Sequence, residues 1–155
     1  MKLHLVCDVS GSMCESGKAF AMRTVAIAVG QWVSLGYASA NISLCGWSSG
    51  VQPFPDWNAD QEYPANLLCC QGRSNWSALM AHLGDKPDGK VLLLTDGFWS
   101  QDGVRLYKRW KNGLAPDTLR IIRIGADAHP QLKGPGMFAT EEFFSALDAW
   151  WEGPA

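Results

Sequence analysis

Two short stretches carry hard oxygen donors at the ends of apolar runs. Cys7-Asp8-Val9-Ser10-Gly11-Ser12-Met13 follows Leu3-His4-Leu5-Val6, and Thr95-Asp96-Gly97 follows Val91-Leu92-Leu93-Leu94. In the first stretch one carboxylate and two hydroxyls, two residues apart, crowd the turn that leaves a strand. Such a set suits a small hard cation, Mg2+ first, with Mn2+ or Ca2+ as alternatives. The same residues also serve an Asx or Ser turn that satisfies only its own backbone. The second stretch weighs against that simpler account. Ligands of open parallel sheets sit outside the carboxyl ends of strands, where the strand order reverses. If the two strands are neighbours, Asp8 and Asp96 reach one crevice. The Gly-led loop Gly72-Arg73-Ser74-Asn75-Trp76-Ser77 comes between them and adds a third hydroxyl, Ser74.

The elements that must position these groups follow from periodicity. Strands are expected over 2–7, 41–47, 90–95 and 119–124. A short antiparallel edge strand is expected over 51–54, stopped by Pro53 and Pro55, and a very short last strand over 137–139. Helices are expected over 17–36, 75–83 and 101–113. Their inward residues are Met22, Val25, Ala26, Val29, Trp32 and Val33 in the first, and Tyr107, Trp110 and Leu114 at the third. Thr140 is placed to cap a final helix, with Phe143, Phe144, Leu147, Trp150 and Trp151 on its buried face. Residues 56–70 read as an irregular connection with room for one helical turn, and 126–136 as a loop rich in Gly and Pro. Strands alternating with helices predict an α/β fold with a mostly parallel sheet. Right-handed crossovers cover both its faces, giving a three-layer, doubly wound, Rossmann-like architecture. The 155 residues suit one domain, 1–155.

Asp8-Val9-Ser10-Gly11-Ser12, then Ser74, then Thr95-Asp96-Gly97 resembles the metal-ion-dependent adhesion site (MIDAS) of the von Willebrand factor type A (VWA) domain. That pattern is Asp-x-Ser-x-Ser, a distant Thr, and an Asp in a Thr-Asp-Gly turn. Ser74 stands where the pattern has Thr; it keeps the donor but lacks the β-branch that limits rotamers. The likeness spans nearly the whole chain and is that of a minimal, stand-alone, prokaryotic-type domain. It implies strand order 3-2-1-4-5-6 and a metal held by Asp8, Ser10, Ser12, Ser74 and Asp96. It also implies an open coordination position that takes an Asp or Glu from a partner protein. The chain would then be an interaction module and not an enzyme. A role beside a MoxR-type AAA+ ATPase, or in a multi-component bacterial system, is among those the resemblance implies. The loop 126–136 departs from the family, which usually has a helix there.

Other function classes find less support. A haloacid-dehalogenase-like phosphohydrolase would use a strand-terminal Asp nucleophile, but it wants an acid two positions later, where this chain has Ser10. An interaction domain with a vestigial metal site is the other alternative. With net charge −2 there is no general pull toward nucleic acid or acidic membranes. Arg105, Lys108, Arg109 and Lys111, interleaved with Tyr107 and Trp110, read as solvated cations beside inward aromatics. His4, His82 and His129 lack metalloprotease spacing, and no phosphate-cradling loop with a Lys is present. The most apolar helix is interrupted by Arg23, Thr24, Gln31 and Ser34, which excludes a membrane span. The five cysteines show no C-x-x-C spacing; they read as small hydrophobes in a reducing compartment, and no leader opens the chain, so a cytoplasmic location is expected. Of eight tryptophans, Trp47, Trp76 and Trp99 sit beside the turns expected around the metal. They are candidates for an aromatic rim that meets the partner.

Overall fold

A computed structural model describes residues 2–36, 40–130, 132–148 and 150. Strand β1 (Lys2–Asp8) leads through a 3-10 turn, Gly11–Cys14, into helix α1 (Lys18–Ser34). Strands β2 (Asn41–Trp47) and β3 (Val51–Phe54) form a hairpin, followed by a 3-10 turn at Ala65–Leu68. Helix α2 (Trp76–Leu83), β4 (Gly89–Thr95), α3 (Gln101–Asn112) and β5 (Leu119–Arg123) come next. The last described elements are β6 (Met137–Ala139), a 3-10 turn at Thr140–Glu142 and the one-turn helix α4 (Phe143–Leu147).

The six strands form one sheet in the order β3-β2-β1-β4-β5-β6. Every pairing is parallel except β2 with β3. Strand side chains alternate between faces, and here both faces are covered. Leu3, Leu5, Cys7, Leu92, Leu94 and Ile122 point into one core, shared with Met22, Val25, Ala26 and Val29 of α1. Val6, Cys45, Val91, Leu93 and Ile121 point into the other, against α2 and α3. The central strands therefore read as near-continuous apolar runs.

Helix ends follow local chemistry. Asn75 and Ser100 cap α2 and α3 by accepting from Ala78 N and Gly103 N. Tyr107 and Trp110 of α3 are buried, while Arg105 pairs with Asp102 on its solvent side.

Some expectations are corrected at the edges of the fold. Trp32 and Val33 are half-buried, packed against the edge of the core rather than inside it. Thr140 does not cap α4; its hydroxyl donates to Arg123 O, and the helix starts with a 3-10 turn. Phe144 is 63% exposed, because α4 is too short to bury two faces. Trp150 is buried as expected, and Trp151 lies outside the described residues. Among the described residues no helix is long and apolar enough to cross a membrane.

Candidate functional site

The site is built where β1 and β4 end side by side. Cys7 pairs with Leu94 in their parallel register, so the next residues, Asp8 and Thr95, end the two strands side by side. Asp8 is fully buried. Its Oδ1 accepts from the Ser10 amide at 2.9 Å, and its Oδ2 accepts from the Thr95 hydroxyl at 2.6 Å. Ser74 Oγ lies 3.4 Å from both Asp8 oxygens. Two backbone bonds clamp the Ser74 loop against the first turn: Gly11 N to Gly72 O at 2.9 Å and Gln71 N to Val9 O at 2.8 Å. Ser10, Ser12 and Ser74 thus face one cleft of about 450 Å³, walled by Arg73, Phe98, Trp99 and His129.

Asp96 is equally buried. Its Oδ1 accepts from Phe98 N at 3.3 Å, and its Oδ2 receives the Lys18 ammonium at 3.2 Å. The turn that aims it requires Gly97, whose φ is +77°; a Cβ there would lie 2.6 Å from Leu132. Burial lifts the Asp8 carboxyl to about 6, opposed by the hydrogen bonds from Thr95 and Ser10 and reinforced by the nearby Asp96. For Lys18, burial disfavours the charge, but hydrogen bonds to Asp127 and Asp96 outweigh it and hold the ammonium above the ordinary lysine range.

Of the five residues singled out in the sequence, Ser10, Ser12 and Ser74 line one cleft, while Asp8 is buried against Ser10 and Ser74 and Asp96 against Phe98 and Lys18. Ser10 Oγ is the informative atom: it is buried and has no hydrogen-bond partner among the described residues. It influences Asp8 from nearby without meeting hydrogen-bond geometry. A buried hydroxyl left without a partner is costly, and a cation above Asp8 would use its lone pairs. Among the described residues no three His, Cys, Asp or Glu side chains converge as a metal site. Any ion here would rest on hydroxyls with two carboxylates beneath, the donor set of a hard cation.

The aromatic rim is corrected at Trp47 and Trp76, whereas Trp99 does wall the cleft. Trp47 and Trp76 are fully buried, and Trp99 is half-buried. Trp76 meets Trp47 edge-on at 4.9 Å and Trp99 at 5.0 Å, and Trp99 meets Tyr107 at 5.0 Å. Trp47 Nε1 donates to Asn75 O, so the indole braces the loop that carries Ser74. The exposed aromatic at the cleft is Phe98, 44% accessible, with His129 edge-on at 5.3 Å. Thr95 stands in the Thr-Asp-Gly turn singled out in the sequence, but its bond to Asp8 needed the sheet order; Phe98 and Lys18 are not separable from ordinary surface or helix residues by type and spacing.

No protein-family model matches the chain, and no curated protein matches its sequence. Solved structures do match. An aerotolerance-related membrane protein from Bacteroides fragilis NCTC 9343 superposes with TM-score 0.54 at 15% identity, over 81% of this chain and 68% of that one. The conserved hypothetical protein BatB from Bacteroides thetaiotaomicron gives 0.52 at 12% identity, over 79% and 66%. Proximal thread matrix protein 1 from the mussel byssus, in a structure with a zinc-occupied MIDAS motif, gives 0.51 at 15% identity, over 97% and 44%. The fold is VWA-like. This chain spans less than half the length of the mussel protein.

Proposed function

We propose that this VWA-like chain is a protein-interaction module that holds a divalent cation on Ser10, Ser12 and Ser74, with Asp8 and Asp96 beneath, and presents it to a carboxylate of a partner protein. The observation that carries the reading is the buried Ser10 hydroxyl, close to Asp8 but without a well-formed hydrogen bond among the described residues, in a cleft at the ends of β1 and β4. Mg2+ fits the donor set, and Mn2+ or Ca2+ would use the same oxygens. The zinc-occupied MIDAS motif of the mussel protein supports a divalent ion on this kind of fold. The ion would supply an electrophilic point of attachment; the chain's own residues would position it and exclude bulk water from its lower side. No general acid stands two residues after Asp8, where Ser10 lies, which supports a binding role over phosphoryl chemistry. The partner is read as a protein with an exposed Asp or Glu, a MoxR-type AAA+ ATPase being one candidate.

Calorimetric titration with Mg2+ and Mn2+ tests the first half. Capture of a partner with and without EDTA tests the second, and partner affinity indifferent to EDTA would sink the coordinate bond. One observation favours a second reading, a vestigial site that binds without metal: Lys18 already neutralises Asp96.

A further inference from the structure

Lys18 is the first residue of α1, a place where a lysine is normally solvated, yet it is only 1% exposed. Its ammonium lies 3.2 Å from Asp96 Oδ2 and 3.1 Å from Asp127 Oδ2, and 5.2 Å from the centre of the Phe98 ring. Room for its stem comes from Gly125, which has φ +94° and where a Cβ would approach Lys18 Cε to 2.8 Å. An ammonium withdrawn from water is costly unless it is paired. The loop after β5 and the Asp96 turn both contribute to this one pairing.

The two carboxylates of the site are therefore unlike each other. Both Asp96 oxygens already have donors, the Phe98 amide and the Lys18 ammonium. Asp8 has hydrogen bonds from the Ser10 amide and from the Thr95 and Ser74 hydroxyls, but no cation among the described residues. We propose that Lys18 is the resident counter-cation of the site: it holds Asp96 in place without metal and thereby weakens the binding of a divalent ion. The metal half of this statement rests on the proposed function; the counter-cation half does not. An incoming dication meets one uncompensated carboxylate, Asp8, and one whose charge is shared. The fixed positive charge beside it opposes its entry. The site is kept assembled in its empty state, in exchange for lower affinity in the loaded one.

The test compares the unmodified protein with Lys18→Met, Asp96→Asn and the double variant. Methionine keeps the stem that packs on Gly125 and removes the charge. In EDTA, urea unfolding should show Lys18→Met with a lower midpoint. Adding Asp96→Asn should restore most of it, because Asp127, 55% exposed in its side chain, can be solvated alone. If the single variant does not fold, folding of the double variant supports the proposal and its failure to fold overturns it. Effects that simply add in the double variant also overturn Lys18 as counter-cation. Mg2+ titration should show Lys18→Met binding the ion roughly tenfold or more tightly than the unmodified protein. Equal or weaker binding overturns the metal half. No Mg2+ or Mn2+ binding by any of the four overturns that half together with the proposed function, whereas the chelator experiment judges Lys18 separately.

Discussion

The Thr95 hydroxyl donates to Asp8 Oδ2 at 2.6 Å across the seam between β1 and β4, and both residues are fully buried. Thr95 Oγ1 in turn accepts from Gly97 N at 3.0 Å and from Trp99 Nε1 at 3.3 Å. One hydroxyl thus joins the first carboxylate, the turn that aims the second, and the indole at the cleft wall. Thr95→Val keeps the shape and removes all three bonds. It should cost about 2–3 kcal/mol of stability, since two donors and a carboxylate oxygen are left without their partner. Thr95→Ser should recover most of that. Urea midpoints of the two variants check the ordering.

Divalent metal should stabilise the fold. A site that binds only the folded state adds stability as free ligand exceeds its dissociation constant, about 2.7 kcal/mol at a hundredfold excess. Mg2+ is therefore expected to raise Tm, and Asp8→Ala to abolish the response. Melting curves that ignore millimolar Mg2+ in the unmodified protein would remove the support for an occupied site.

In chelator, the same carboxylate makes stability depend on pH. Asp8 titrates at about 6 in the fold, above its ordinary 3.8. The folded state then binds more protons than the unfolded one between those values. This contribution is full below the unfolded value and is lost as pH rises through 6. Stability in EDTA should be about 1–1.5 kcal/mol greater at pH 5 than at pH 7.5 on this account. Asp8→Asn should flatten the difference. A chelated protein equally stable at both pH values in the unmodified form, with Asp8→Asn unchanged, contradicts it.

Phe98 and Trp99 are adjacent but should behave oppositely. Trp99 packs among Trp47, Trp76 and Tyr107, so Trp99→Ala should cost about 3 kcal/mol, the low end for a large aromatic in a core. Phe98 is exposed at the mouth of the cleft, so Phe98→Ala should leave stability within about 1 kcal/mol and instead weaken partner binding. Denaturation of both variants, beside one partner-binding measurement, separates the roles.

The thiols offer an independent check on the core. Cys14 and Cys69 are exposed, while Cys7, Cys45 and Cys70 are buried. Burial pushes Cys45 and Cys70 up to about 12 and Cys7 higher still. A thiol reagent should label Cys14 and Cys69 quickly in the native protein and the other three only after unfolding. Rapid native labelling of Cys7 or Cys45 would contradict the packing of β1 and β2.

The parts of the fold that were legible in the sequence are those where local pattern and packing agree. Leu3 to Cys7 and Val91 to Leu94 are continuous apolar runs because both faces of the sheet are covered, and Pro53 and Pro55 mark β3 as an edge. Spacing alone placed Asp8, Ser10 and Ser12 in one turn; the partnership of Asp8 with Thr95, 87 residues away, needed the sheet order. Face was harder to read than position. Trp47 and Trp76 do flank the site along the chain, but each turns its ring downward into the layer of α2 and α3. Lys18 was invisible for a similar reason. Its burial depends on Asp96, Asp127 and the missing side chain of Gly125, none of them near it in sequence.

That β1 lies at the centre of the sheet also bears on how the chain is born. The strand emerges before both of its neighbours: β2 begins at Asn41 and β4 at Gly89. Until β4 has been synthesised, the edge of β1 that will face it has no strand partner, and Asp8 lacks the Thr95 hydroxyl. Non-local parallel pairing of this kind is slow and leaves strand edges open meanwhile. The cleft should therefore be among the last features to form on a ribosome. A truncation ending between β2 and β4 would display the Asp8-Ser10-Ser12 turn without its floor, and its open β1 edge would be a target for chaperones.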